Sequence, residues 1–168
     1  MSLRHLSLRD FVIVPTLELD LAPGFTALTG ETGAGKSILI DALQLVLGAR
    51  GEAIWVREGQ QRCEISAEFA APSTALPWLQ DHGFEGEGDA VLLRRTIDAA
   101  GKSRAWINGS PATVGQLREL ADHLVDIHGQ HAWQSLTRPA AVRALLDAYA
   151  GMDAAPLLTA WQHWQHAQ

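Results

Sequence analysis

The sequence contains a single cysteine, Cys63, among its 168 residues. No internal disulfide can form, so a reducing cytoplasm is the expected compartment. Cys63 lies in an alternating pattern and reads as a small apolar residue. No apolar run reaches the length needed to cross a bilayer, and the opening MSLRHLSLRD lacks the apolar stretch of a signal peptide, so no membrane partner is expected. An excess of positive charge is also missing. Thirteen Lys and Arg stand against 19 Asp and Glu, a formal net charge of −6. That argues against a wholly basic nucleic-acid footprint and leaves room for a local basic patch. There are no repeats and no low-complexity segment. With 47% hydrophobic and 19% charged residues, the composition is that of one globular domain with a real core.

The strongest feature present is GETGAGKS, which fits G-x-x-x-x-G-K-[ST] at every fixed position. Gly30, Gly33 and Gly35 allow positive φ and close backbone approach to a phosphate. The amides of Gly30, Glu31, Thr32, Gly33, Ala34, Gly35, Lys36 and Ser37 are then expected to line an anion-binding concavity. Lys36 is expected to reach the β- and γ-phosphates of a nucleotide and Ser37 to ligate Mg²⁺. The flanks agree. FTALTG (25–30) reads as a short buried strand entering the loop. KSILIDALQLVLG (36–48) reads as a helix leaving it, apolar on most sides, buried between layers and stopped by Gly48.

The rest of the chain reads as mixed α/β with an antiparallel-rich sheet. Residues 3–14 and 16–24 form a predicted strand pair joined near Pro15 and closed by Pro23-Gly24. RCEISAEFA (62–70) alternates Cys63, Ile65, Ala67 and Phe69 against Arg62, Glu64, Ser66 and Glu68, the pattern of a half-buried strand. STALPWLQDHG predicts a short helix capped by Ser73. AVLLRRTID and SRAWING predict a hairpin, with a second turn at Asn108-Gly109. Arg94, Arg95, Lys102 and Arg104 gather on that hairpin with Trp106, either as a phosphate-contacting patch or as a solvated strand face. ATVGQLRELADH predicts a helix and LVDIHGQH a short strand entering a polar loop. Thr137 and Pro139 open a further helix, with Val142, Leu145, Leu146 and Tyr149 on its packing face. After Gly151, Leu157, Trp161 and Trp164 form a narrow seam at i, i+4, i+7, either a docked last helix or the start of a longer helical arm.

Hydrolysis needs more than a phosphate loop. A Walker B strand, an apolar run ending in acids, must hold Mg²⁺ and activate water. The nearest candidate, Leu124-Val125-Asp126, is short, is interrupted by His123 and has no second acid. Asp126-Ile127-His128-Gly129 fits the weak D-x-x-G pattern of GTPases, but no N-K-x-D follows. His128 and His131 flank Gln130 as a candidate metal pair, but no further ligands cluster nearby.

LTGETGAGKSILIDALQLVLGAR, VREG and LVDIHGQHAWQSL together resemble the N-terminal head segment of the RecN family. These are bacterial DNA-repair proteins related to the structural-maintenance-of-chromosomes (SMC) and ABC-type ATPases. The resemblance runs from Leu3 to about Tyr149. It implies a P-loop ABC-type head, with 1–150 as its N-terminal lobe and 151–168 as the start of a coiled-coil arm. It implies Gln130 as a contact to Mg²⁺ and the attacking water, making Lys36 and Gln130 the catalytic candidates. It implies ATP and Mg²⁺ as cofactors. The implied partners are the C-terminal lobe of the same head, a second head in an ATP-dependent dimer, and DNA, with association to the nucleoid. Arg9, Asp10 and Phe11 fall where such heads approach adenine and ribose, and either Arg50 or Arg57 falls where an arginine approaches the phosphates. The signature segment and Walker B lie outside this sequence, so negligible hydrolysis is expected of it alone. Two other readings remain at this point: a self-contained P-loop kinase or GTPase, and a scaffold that holds nucleotide without turnover.

Overall fold

The computed structural model describes residues 3–30, 35–86, 88–125, 127, 142–143, 146–147, 149–152 and 155–166. They divide into two compact units, Met1–Asp126 and Ile127–Gln168. The first is built on a six-stranded antiparallel sheet in the order β2-β1-β3-β4-β5-β6: β1 (Leu3–Phe11), β2 (Val14–Asp20), β3 (Arg62–Ala70), β4 (Ala90–Asp98), β5 (Ser103–Ile107) and β6 (Ser110–Ala112). Its helices are α1 (Lys36–Val46), α2 (Leu76–Asp81) and α3 (Val114–Leu124).

Side-chain alternation decides which face is core. Leu6, Ala67, Leu93 and Ile107 form one row across four strands, all buried. The next inward row is Leu8, Ile65, Arg95 and Ala105. α1 packs on this face against β3 and β4, and α3 packs against β5 through Leu117, Leu120 and Leu124. Each buried Leu or Ile contributes about 1.5–3 kcal/mol relative to exposure. α3 is started by a reciprocal capping box: Gln116 N–H donates to Thr113 Oγ1 at 3.2 Å, and Thr113 N–H donates to Gln116 Oε1 at 2.8 Å. Asn108 and Gly109, both at positive φ, make the predicted turn between β5 and β6. Cys63 is buried on the inner face of β3, and burial raises its thiol pKa.

Several expectations are corrected. The first hairpin turns at Val12-Ile13 rather than near Pro15, because Pro15 fits inside the edge strand β2, where its missing N–H costs nothing. Ser73 does not cap α2. The N-cap is Ala75, and Pro77 occupies the first turn, where no intrahelical donor is needed. The segment 25–30 pairs with no strand and is exposed, Phe25 by 96%. Among the described residues no neighbouring strand offers it a ladder. α1 is buried on one side only, through Ala42, Leu45 and Val46, while Ile40 stays 39% exposed. The sheet covers one face of α1, and no described element covers the other.

On the open face, His5 of β1 bridges two carboxylates of β2. Nδ1 lies 2.6 Å from Asp20 Oδ1 and Nε2 lies 2.8 Å from Glu18 Oε2, with Glu68 of β3 opposite in register. The hydrogen bond to Asp20 is the main cause of a raised His5 pKa, opposed by desolvation. A raised folded-state pKa means the contribution is full below the ordinary histidine value of about 6.5 and is lost as pH climbs through the folded value. Thermal melting of the wild type is therefore expected to fall relative to His5→Gln as pH rises from about 6 upward. A constant difference between the two proteins would show that the bridge carries no protonation-linked stability.

The second unit contributes α4 (Ala155–His166). Leu157, Trp161 and Trp164 of the seam are all at least half exposed, and the two indoles touch at 4.9 Å. Val142, Leu146 and Tyr149 are exposed too, contrary to the packing face expected of them. Thr137, Pro139 and Leu145 lie outside the described residues.

Candidate functional site: a phosphate-loop helix and its neighbours

α1 begins where the phosphate-loop motif predicts. Gly35 is its N-cap at φ 86, a left-handed conformation that a side chain would strain. Among the described residues no side chain caps the first-turn amides, so the positive end of the helix is available to an anion. Lys36 and Ser37 are the first two helical residues, and Ser37 is exposed. Lys36 Nζ donates to the Gly30 carbonyl oxygen, joining the two ends of the motif. Glu31, Thr32, Gly33 and Ala34 lie outside the described residues, as do Gln130, Asp126, His128, Gly129 and His131. Leu124 is the last residue of α3 and not part of a strand, which removes the Walker B reading of Leu124-Val125-Asp126.

The tip of the β1–β2 hairpin is held by residues 53–57. Val12 N–H donates to Trp55 O at 2.9 Å, Arg57 N–H donates to Asp10 O at 2.9 Å, and Phe11 stacks on Trp55 at 5.6 Å. Arg57 Nε also donates to the Asp10 carboxylate at 3.0 Å. Asp10 and Val12 both sit at positive φ, which the surrounding bonds enforce. Arg57 is therefore fixed beside Arg9, Asp10 and Phe11. Arg50, 3.6 Å from Glu52, is far more exposed.

The predicted basic hairpin is split by the pleat. Arg95 points inward and is only 1% exposed, so it takes no part in a surface patch. Arg94 faces out but is committed: its Nη2 donates to Glu64 Oε2 at 2.8 Å and its guanidinium lies 5.0 Å from the Trp106 ring centroid. Sequence reasoning missed the residues that complete the outer face. A cavity of ≈ 290 Å³ is lined by Arg9, Asp10, Gln60, Gln61, Arg62 and Glu64. A second, of ≈ 220 Å³, is lined by Gln61, Arg62, Thr96, Asp98, Lys102 and Arg104. Sharing Gln61 and Arg62, the two form one groove across β1, β3, β4 and β5. Arg9, Arg62, Lys102 and Arg104 are all exposed, and among the described residues none forms an ion pair. The strand alternation carried the signal for Arg62. The partners came from the register.

Residues 5–102 match the AAA domain family. The DNA repair protein RecN of Vibrio cholerae serotype O1 is 47% identical over 98% of this chain, and that of Xylella fastidiosa strain Temecula1 is 46% identical over 97%. The chain spans 30% of the length of each. A solved chain from work on ATP-driven dimerization and DNA stimulated activation of SMC ATPases superposes with a TM-score of 0.61 at 25% identity, over 88% of this chain and 98% of that one. Such a family implies a nucleotide-binding head. The chain belongs to the AAA domain family, as an SMC-like ATPase head segment of the kind found in the RecN DNA repair proteins.

Proposed function

We propose that this chain is the ATP-binding N-terminal lobe of an SMC-like ATPase that acts in the repair of DNA double-strand breaks by recombination. The observation that carries this reading is the open N-terminus of α1, with Gly35 at positive φ, Lys36 and Ser37 in its first turn, and Lys36 tied back to Gly30. The phosphate-loop amides from Gly30 to Ser37 cradle the phosphates, Lys36 supplies the charge, and Ser37 and Gln130 ligate Mg²⁺. Gln130 also orients the attacking water. A C-terminal lobe of the same head brings the signature segment and Walker B, and ATP joins two heads, each completing the other's site. Residues 1–150 form the lobe, and 151–168 start the coiled-coil arm, whose exposed tryptophan seam suits a partner helix. The work is cytoplasmic, on the nucleoid. The test is calorimetric titration of the chain with Mg-ATP. A saturable one-site isotherm is expected, and no heat up to millimolar nucleotide would overturn the reading.

The outer groove is the DNA-contacting surface in this proposal. Four cations along one groove, with no ion pair among the described residues, in a chain of net charge −6, suit a phosphate backbone. Each neutralised phosphate contributes about 0.9 to the slope of log affinity against log salt. Arg62→Glu with Arg104→Glu in the longer protein is expected to lower DNA affinity and flatten that slope by about 2. An unchanged slope would remove the groove from the DNA interface.

A further inference from the structure

Arg95 is a buried cation among carbonyls. Its Nη1 donates to Leu45 O and Ala49 O, and its Nε donates to Ser103 Oγ at 2.9 Å. No described carboxylate pairs with it. Burial lowers its pKa, and the nearby charge of Arg118 pushes the same way. Arg118 of α3 donates from Nε to Gly48 O at 2.7 Å. Two positive groups thus converge on the C-terminal end of α1, which has no basic residue in its own last turn. Their attraction is to the negative end of the helix and its orphan carbonyls.

The chain leaving α1 is shaped to admit them. A Cβ on Gly48 would come within 2.6 Å of Arg118 Cγ, and one on Gly51 within 3.2 Å of Arg95 Nη2. The burial of α1 lies in the same half, in Ala42, Leu45 and Val46, while its opening turns are partly or fully exposed. α1 is therefore gripped at one end and presents phosphate-binding groups at the other. Eleven residues make a lever of about 16 Å, so a tilt of about 10° at the gripped end moves the loop by about 3 Å. A misplacement of about 1 Å is enough to cost about 100-fold in rate.

We propose that Arg95 and Arg118 are positioning residues for nucleotide chemistry: they hold the far end of α1 so that its N-terminal loop meets the phosphates at the right angle. This rests on the ATPase reading above. Neither residue touches nucleotide in this assignment. Each acts through the carbonyls of Leu45, Gly48 and Ala49. The buried guanidinium of Arg95 sets the depth of the helix end, and the partly exposed one of Arg118 sets its tilt.

The experiment compares Arg118→Met, Arg118→Lys and Arg95→Ala with wild type in the longer protein, measuring Mg-ATP turnover well below each melting temperature. Hydrogen exchange of the amides at 36–41 is followed in parallel. Arg118→Met is expected to lower kcat at least 10-fold while changing KM less than threefold, with faster exchange at 36–41. Arg118→Lys, which keeps the charge, is expected to recover part of the loss. Arg95→Ala is expected to regain activity when guanidinium ion is added at millimolar concentration, below denaturing levels. Unchanged kcat and exchange in a folded Arg118→Met protein would overturn the proposal, as would a loss that appears only as reduced melting temperature. If the wild type itself shows no Mg-ATP turnover, the ATPase reading fails instead, and exchange at 36–41 still decides whether the arginines brace α1. Slow, unaltered exchange in the variants would overturn the brace.

Discussion

Lys36→Ala is expected to weaken Mg-ATP binding about 10- to 150-fold, the loss of one charge-assisted hydrogen bond of about 1.5–3 kcal/mol. Lys36 stands in the first turn of α1 with its ammonium on the Gly30 carbonyl, so the substitution removes a positive charge from the mouth of the loop and unties its ends. Lys36 is half-buried and no part of the apolar core of the sheet, so circular dichroism and the unfolding midpoint are expected to stay close to wild type. Lys36→Arg is expected to restore little, because the planar guanidinium is larger than the compact ammonium and fits a different geometry. Calorimetry that gave Lys36→Ala the wild-type dissociation constant would remove the phosphate-loop assignment.

Gly48→Val is expected to be among the most destabilising single changes in the first unit. Gly48 sits at φ +102, where an L side chain costs about 1–3 kcal/mol. The added Cβ would lie 2.6 Å from Arg118 Cγ and 3.0 Å from both Arg118 N and Val114 O. The arginine stem can swing away, but the two backbone atoms belong to α3 and move only with that helix. Overpacking of this kind costs about 1–3 kcal/mol more. The urea midpoint is expected to drop by an amount equivalent to about 3 kcal/mol. Gly59→Ala is the control: Gly59 has φ +79 but faces open space, so only the backbone cost applies. Equal midpoints for the two variants would mean that the approach of α3 to the end of α1 is not close-packed.

Most strands were legible because alternation is a local signal. Cys63, Ile65, Ala67 and Phe69 are the inner residues of β3, as the pattern required. The same parity in β4 places Arg95 with Val91, Leu93 and Ile97, and therefore inside. Grouping it with its neighbour Arg94 by charge ignored the pleat. The exposure of 25–30 was not legible, since an apolar run predicts burial only when another element covers it. The capping box of α3 was written in Thr113 and Gln116. The brace on α1 was not, because Arg95 and Arg118 reach it from strands and helices 46 or more residues away. The phosphate-loop motif stood out because glycine, lysine and serine at fixed spacing encode one local geometry. The groove formed by Arg9, Arg62, Lys102 and Arg104 depends on pairing across four strands.

Phosphate release from Mg-ATP by the purified chain tests most directly whether it is one lobe of a divided ATPase head. In the proposed site Lys36 supplies charge and Ser37 and Gln130 supply part of the Mg²⁺ shell, and none of these three is a general base for water. Phosphoryl transfer depends on positioning together with electrostatic stabilisation, so a half-built site forfeits most of the barrier reduction. Nucleotide binding is predicted with turnover far below about 1 s⁻¹, the low end for ordinary enzymes, and a rise when a C-terminal lobe is supplied. Steady release at about 1 s⁻¹ or faster from the chain alone, abolished by Lys36→Ala, would contradict it.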